Sequence, residues 1–249
     1  MRPEEARPRL AALGFSERDT ATLAEHFLDA EHRGNLSHGL SRIEWLETLE
    51  SIEPRARPER VAAEPGYERW RSNGALGYLT LSAICAAQLD DPPARSRLVV
   101  ADAFPSGALG YWVRRLADGG LVAALTATSP PRLAHPSGGP ELTGTNPLAV
   151  GIPSSDGRSL VSDVSMGAVT YGDVLRGAAR PEELVPFGGE LSHKAFALAV
   201  GLQLLVDALA APGAFGIVLL VARPVADPVP AFRERAAGVR LPGDGHQRD

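Results

Sequence analysis

The chain has 249 residues, a formal net charge of −5 and 44% apolar residues. This length can bury a sizeable core in one large or two small domains, and the acidic balance argues against a general nucleic-acid-binding surface. The one cysteine, Cys85, excludes an intramolecular disulfide and a cysteine-based metal site. The acidic, proline-containing start has no signal-peptide pattern and no apolar run reaches ~18 residues, so we expect a cytoplasmic protein without a transmembrane helix.

Helices are predicted for residues 1–32. The segment Ser16–Asp19 is similar to a capping box, in which polar side chains bind the first free backbone N–H groups of a helix. Leu23, Phe27 and Ala30 then recur at helical spacing. We therefore expect an amphipathic helix to begin near Ser16.

A polar segment after this helix carries a histidine and an arginine one helical turn apart. His38 lies in Ser37-His38-Gly39, and Arg42 lies in a helix predicted over Leu40–Leu49. A histidine suits proton transfer because its ordinary pKa lies near neutrality, and a guanidinium can bind a carboxylate through two hydrogen bonds. From these residues alone, the alternative is a histidine beside a helix cap and a solvated arginine.

The middle of the chain predicts alternating helices and strands. Residues 51–72 are rich in proline, arginine and glutamate and are interpreted as an irregular connection. A helix is predicted over Ala75–Leu89, a strand over Arg97–Ala101, a helix over Gly107–Leu116 and a strand over Leu121–Ala127.

The segment from Gly144 to Gly167 contains two short apolar runs separated by a polar turn. The runs are Leu148–Ile152 and Ser159–Val164, and Ser154–Gly157 lies between them, which predicts a hairpin or two neighbouring strands. The following Asp163–Gly167 segment would present polar groups to a ligand at the end of a strand. We find no glycine-rich dinucleotide motif at a strand–helix junction, so nothing indicates a Rossmann unit.

The C-terminal third contains the chain's one lysine among 25 basic residues, Lys194. Such a residue can mark a position where arginine's planar fork does not fit, or it can be a coincidence. The helix predicted over Ala195–Leu209 is apolar nearly all round, which predicts a central position. A strand over Phe215–Val221 and a last helix from Asp227 follow.

Five short motifs, in this order, resemble the type-2 malate/L-lactate dehydrogenase family. That family includes ureidoglycolate and 2,3-diketogulonate dehydrogenases and piperideine-2-carboxylate reductases. The motifs are Ser37-His38-Gly39, Gly144-Thr145-Asn146-Pro147, Asp163-Val164-Ser165-Met166-Gly167, Pro186 to Lys194, and Leu241-Pro242-Gly243.

The resemblance implies an α/β (α+β), non-Rossmann fold with a largely antiparallel central sheet flanked by helices. On this basis we expect an N-terminal helical segment with a connecting arm in residues 1–72. A mixed α/β core with a reduced cofactor-side lobe would span residues 73–185, and a helix, a strand and a helix in residues 186–249 would complete it.

The resemblance also implies a site for a nicotinamide-dependent oxidoreductase. His38 would be the proton donor and Arg42 would hold the substrate carboxylate, with NADPH or NADH as the cofactor and no metal. The other implied positions are Ser37 and Thr145 for the substrate, and Asp163, Ser165, Met166, Gly167 and Lys194 for the cofactor. The expected partners are a small carboxylate substrate and a second copy of the chain in a homodimer, without nucleic acid or membrane.

Two departures from the family pattern bear on activity. Pro105 stands where the family loop has a histidine, so acid–base work would fall to His38 or to another group such as Asp102. The segment Thr170–Val185 is shorter than its family counterpart. The resemblance as a whole implies a reductase or dehydrogenase acting on a C=O or cyclic C=N next to a carboxylate. The alternatives are a non-redox lyase, isomerase or cyclase on the same scaffold, and a catalytically silent homologue.

Overall fold

The computed structural model describes residues 1–210 and 214–244. Its helices are α1 (Ala6–Ala12), α2 (Glu17–His32), α3 (Ser41–Glu47), α4 (Gly77–Asp90), α5 (Leu109–Asp118), α6 (Tyr171–Leu175), α7 (Ser192–Leu209) and α8 (Val229–Arg235). Its strands are β1 (Glu59–Glu64), β2 (Tyr67–Arg71), β3 (Ser96–Asp102), β4 (Val122–Ala127), β5 (Leu133–Ala134), β6 (Glu141–Thr143), β7 (Leu148–Ile152), β8 (Leu160–Val164) and β9 (Gly216–Ala222). A short 3-10 turn at Leu36–His38 precedes α3.

Seven strands form one sheet in the order β1-β2-β3-β9-β4-β7-β8. The β2–β3 pair is parallel and the other neighbouring pairs are antiparallel. β5 and β6 form a separate two-stranded sheet. The prediction of a mixed α/β fold around a largely antiparallel sheet is confirmed.

The main core lies between the seven-stranded sheet and helices α4 and α5. Alternate residues of β9, Ile217, Leu219 and Val221, are fully buried on this side, as the two-residue period of a strand requires. Trp112 of α5 is among the largest fully buried side chains. Burying one large apolar side chain contributes roughly 1.5–3 kcal/mol, so α5 is held firmly against the sheet.

Residues 51–72 are not the irregular connection that the sequence predicts, because they contain the antiparallel pair β1–β2. β1 is an edge strand whose side chains are mostly exposed, so it lacks the apolar alternation that identifies a half-buried strand. By contrast, the predicted pair over Leu148–Ile152 and Ser159–Val164 is confirmed as β7 and β8, which are antiparallel neighbours.

Helix α7 is not central, contrary to the prediction from its apolar sequence. One side packs on the sheet through Ala195, Ala199, Leu202 and Val206, while Leu204 on the other side is 61% exposed. The segment Gly189–Leu209 includes all of α7. By length and composition it could cross a membrane, and 22% of its most apolar window is buried. The sequence expectation of no transmembrane helix stays a prediction, because length and composition alone do not show that this segment crosses a membrane.

Candidate functional site

A cavity of about 420 Å³ lies where the N-terminal helices meet the ends of β4, β7 and β8. Binding sites for small molecules usually have volumes of this order. The wall from the N-terminal region contains Asn35, His38, Arg42 and Trp45. The other walls contain Tyr78, Phe104–Leu109, Ala127–Pro130, Arg132, Thr145, Pro147, Asp163, Ser165, Thr170 and Tyr171.

Five of the residues predicted for the site line this one cavity. They come from segments that are far apart in sequence: His38 and Arg42 from the N-terminal helices, Thr145 from the segment before β7, and Asp163 and Ser165 from the end of β8. The antiparallel hairpin brings Thr145 close to Asp163 and Ser165, because the start of β7 pairs with the end of β8. The fold therefore assembles one site from these three segments.

His38 is held as a neutral imidazole. Its Nδ1 atom is buried and has no hydrogen-bond partner among the described residues, which leaves Nε2 as the ring nitrogen available to a ligand in the cavity that His38 lines. Burial, and then the positive charge of Arg42, lower the pKa of His38 to about 3, against a smaller opposite effect of Asp173. Near neutral pH this imidazole is therefore almost entirely uncharged.

Arg42 faces the cavity without a carboxylate partner in the part of the chain that the structure describes. Its Nε atom donates a hydrogen bond to the Ser37 carbonyl at 2.8 Å, and its guanidinium carbon lies 5.4 Å from the centroid of the Trp45 ring. A positioned guanidinium with no bound acid is suited to receive the carboxylate of a ligand.

Ser37, predicted to bind substrate, lies behind the cavity and does not line it. Its side chain is buried, and its hydroxyl donates to Asn35 Oδ1 at 3.0 Å. In the free chain Ser37 acts through its carbonyl, which fixes the side chain of Arg42.

The five positions predicted for the cofactor separate into three groups. Asp163 and Ser165 line the cavity, and both already accept backbone hydrogen bonds: Asp163 from Gly110 at 2.6 Å and Ser165 from Gly167 at 3.1 Å. Met166 is 2% exposed and packs in a core cluster with α7, and Gly167 is buried, so neither lines the cavity. Lys194 is exposed on the surface of α7, outside the cavity, because the buried face of that helix lies on the sheet. Within one chain, the fold does not bring Lys194 to His38.

Sequence reasoning missed one basic and one aromatic residue of the cavity wall, Arg132 and Tyr171. The guanidinium carbon of Arg132 lies 3.4 Å from the centroid of the Tyr171 ring, a close cation–π contact. No local pattern links these residues, since they meet only through the fold. Arg132 adds a second cation to the cavity, and it also forms no ion pair with the residues that the structure describes.

The segment Thr170–Val185 contains α6, which packs against the turn that carries His38. Thr170 and Asp173 form a capping box: the Thr170 hydroxyl accepts the Asp173 N–H at 3.1 Å. A side chain at Gly172 would collide with the carbonyl of Ser37 and the guanidinium of Arg42, so only glycine permits this approach. The Thr-x-x-Asp pattern of the capping box is the sequence signal that could have located this helix.

Pro105, in the loop before α5, lines the cavity but cannot exchange a proton. The Asp102 carboxylate does not line it: Oδ2 accepts the Ser72 N–H at 3.1 Å and also binds the Ser72 hydroxyl. Of the acid–base candidates considered from the sequence, His38 is the one that faces the cavity.

The fold and the cavity define an α/β protein in which a neutral histidine and an arginine line one cavity. Two curated relatives are each 31% identical to the chain. One is the Delta(1)-pyrroline-2-carboxylate/Delta(1)-piperideine-2-carboxylate reductase of Pseudomonas syringae pv. tomato, matched over 182 residues, 70% of this chain and 52% of the reductase. The other is the (2R)-3-sulfolactate dehydrogenase (NADP(+)) of Chromohalobacter salexigens, matched over 188 residues, 73% of this chain and 56% of that protein.

The chain belongs to the malate/L-lactate dehydrogenase family, whose model matches residues 4–185. It spans about half the length of the two curated relatives. The crystal structure of delta1-piperideine-2-carboxylate reductase from Pseudomonas syringae pvar. tomato superimposes with a TM-score of 0.83 at 24% identity, over 97% of this chain and 89% of that one. At this identity the likeness shows a shared fold.

Proposed function

We propose that the chain is a nicotinamide-dependent oxidoreductase that interconverts a small carboxylic acid bearing C=O or cyclic C=N with its reduced form. The observation that carries the proposal is the neutral imidazole of His38 beside the ion-pair-free guanidinium of Arg42 on one cavity. Family membership and the names of the relatives, a reductase of cyclic-imine carboxylates and a sulfolactate dehydrogenase, agree with this chemistry.

The cavity has the size and polarity for a nicotinamide ring beside a small acid. Its walls combine apolar surfaces with the hydroxyl groups of Thr145 and Ser165, which suit a flat ring carrying a carboxamide. These two residues and Asp163 would hold the nicotinamide end, and the rest of the dinucleotide would extend beyond the cavity. When bound, the cofactor supplies the hydride.

His38 would transfer a proton to or from the oxygen or nitrogen atom that is bonded to the reacting carbon. In the reductive direction, protonated Nε2 would give its proton to that atom, and in the oxidative direction neutral Nε2 would remove it. Arg42 would bind the adjacent carboxylate and so orient the substrate. Arg132 lies on the same cavity, so a substrate with a second acidic group would find a second cation there.

We also propose that the protein is a homodimer in which the exposed face of α7 contacts a second copy. Beyond the residues that pack on the sheet, α7 exposes Leu198, Leu204, Leu205 and Leu209. Contiguous apolar surface of this kind marks protein–protein or membrane contacts. A cytoplasmic homodimer would remove the face from water without a membrane.

Leu204→Glu is expected to convert the dimer into monomers, because the interface would then bury an unpaired carboxylate. Light scattering after size exclusion should give twice the 26.2 kDa chain mass for the parent and the chain mass for the variant. Val225→Glu is the matched control, since Val225 is 88% exposed and follows β9. A monomeric parent, or one that needs detergent or vesicles to stay in solution, would contradict the dimer.

Titration calorimetry with NADPH and NADH tests the proposed activity directly. We expect at least one of them to bind with a dissociation constant between about 1 μM and 1 mM, the usual range for enzyme ligands. Binding of neither up to millimolar concentration would reject the oxidoreductase and favour a non-redox use of His38 and Arg42.

A further inference from the structure

A second histidine, His26 of α2, lies fully buried behind the cavity and takes no part in the site described above. Its ring is stacked on Trp112, with centroids 5.0 Å apart and planes inclined by 21°. Tyr78, Tyr111 and Phe27 contact it edge-on at centroid distances of 5.0, 4.7 and 5.8 Å. Its surroundings are therefore almost entirely aromatic.

Among the described residues the imidazole makes one hydrogen bond, and that bond goes to the cavity wall. His26 Nε2 accepts the backbone N–H of Ala108 at 3.2 Å, and the proton therefore resides on Nδ1, which is buried without a partner. A buried polar group without a partner costs stability. A phenylalanine would fill this aromatic cage without that cost, so packing alone does not account for a histidine here.

The residues that His26 holds are part of an unbroken stretch of the cavity wall, Phe104–Leu109. Gly107 adopts φ +70° and passes so close to the imidazole that a side chain there would overlap Nε2. Trp112, on which His26 stacks, donates its indole N–H to the Ser106 carbonyl at 2.8 Å. Two stacked side chains thus fix the backbone groups of Ser106 and Ala108, on either side of Gly107.

We propose that His26 is a positioning residue: its Nε2 atom fixes the Ser106–Leu109 wall against which the ligand of His38 and Arg42 packs. The bond to Ala108 replaces an intrahelical partner that the start of α5 cannot supply, because the first N–H groups of a helix have none. Sites whose supporting groups are loosened lose rate through poorer alignment of the reacting groups. The kinetic part of this inference rests on the proposed function, and the structural part does not.

Three full-length variants separate positioning from packing. His26→Phe keeps an aromatic ring and removes the acceptor, and His26→Gln restores an acceptor. Phe27→Leu perturbs the same aromatic cluster at a residue whose side chain makes no hydrogen bond to Ser106–Leu109. We expect His26→Phe to lower kcat/KM about tenfold or more, the equivalent of one lost buried hydrogen bond. His26→Gln should recover most of that loss, and Phe27→Leu should lower Tm but leave kcat/KM within about twofold of the parent. Equal kcat/KM for His26→Phe and the parent, or equal losses in His26→Phe and His26→Gln, would overturn the proposal.

Amide hydrogen exchange gives a readout that needs no turnover. In His26→Phe the Ala108 amide should exchange at least about tenfold faster than in the parent, while the Phe27 amide within α2 keeps its parental protection. Parental exchange at Ala108 in the variant would reject the inference. If the parent binds no nicotinamide cofactor, the proposed function fails, and the exchange result still decides whether His26 fixes the wall.

Discussion

Replacing His38 with alanine is expected to lower kcat by a factor of about 10²–10⁴, the usual contribution of a positioned acid or base. Of the acid–base candidates from the sequence, this imidazole is the one that lines the cavity. Because the proposed role is in proton transfer, the dissociation constant of NADPH or NADH should stay within about twofold of the parent value. Steady-state kinetics and calorimetry on the same preparation measure both quantities.

His32→Ala is the matched control for this variant. His32 is exposed in the last turn of α2 and does not line the cavity, so its removal should leave kcat at the parental value. If His38→Ala retained parental turnover, His38 would have no part in the mechanism. If it lost turnover and cofactor binding together, the residue would instead hold the site's shape.

The second large effect is expected in the pH dependence of the reductive reaction. Since burial and Arg42 lower the pKa of His38 to about 3, the protonated form is scarce throughout the neutral range. Its fraction rises about tenfold for each unit by which pH falls towards that pKa. For the free enzyme, kcat/KM for reduction should therefore rise about tenfold per unit as pH is lowered from about 8 to about 5.

The oxidative direction should behave differently over the same range. Neutral His38 is already the dominant form there, so kcat/KM for oxidation should be nearly independent of pH. The slopes of log kcat/KM against pH then differ by one between the two directions, because oxidation releases one proton. A reductive profile that levels off below about pH 6.5, or an oxidative one that falls off near the ordinary histidine pKa of about 6.5, would show that the environment leaves His38 unperturbed.

The parts of the fold that were predictable from the sequence are those with strong local patterns. The hairpin of β7 and β8 follows from two apolar runs around a glycine-containing turn, and Ser16 does begin α2 by accepting the Asp19 N–H. β1 was missed because an exposed edge strand carries no apolar alternation. The burial of α7 was misjudged because an apolar sequence is equally compatible with a core and with a surface that faces another molecule.

The site was predictable to the extent that short motifs carry its residues. His38, Arg42, Thr145, Asp163 and Ser165 were found because they lie in such motifs, and they do line one cavity. The contact between Arg132 and Tyr171, and the packing of His26 behind the wall, depend on residues that only the folded chain brings together. No spacing rule can reveal contacts of that kind.

The place of β9 in the sheet also governs the order in which the protein can fold. β9 follows the other strands of this sheet in sequence order, yet it lies between β3 and β4, which do not pair with each other directly. A nascent chain that has not yet released residues 216–222 from the ribosome has two incomplete half-sheets with unpaired inner edges, the kind of edge that promotes aggregation. Completion of this sheet must therefore wait until residues 216–222 have been translated, and the long sequence separation between paired strands predicts slow folding.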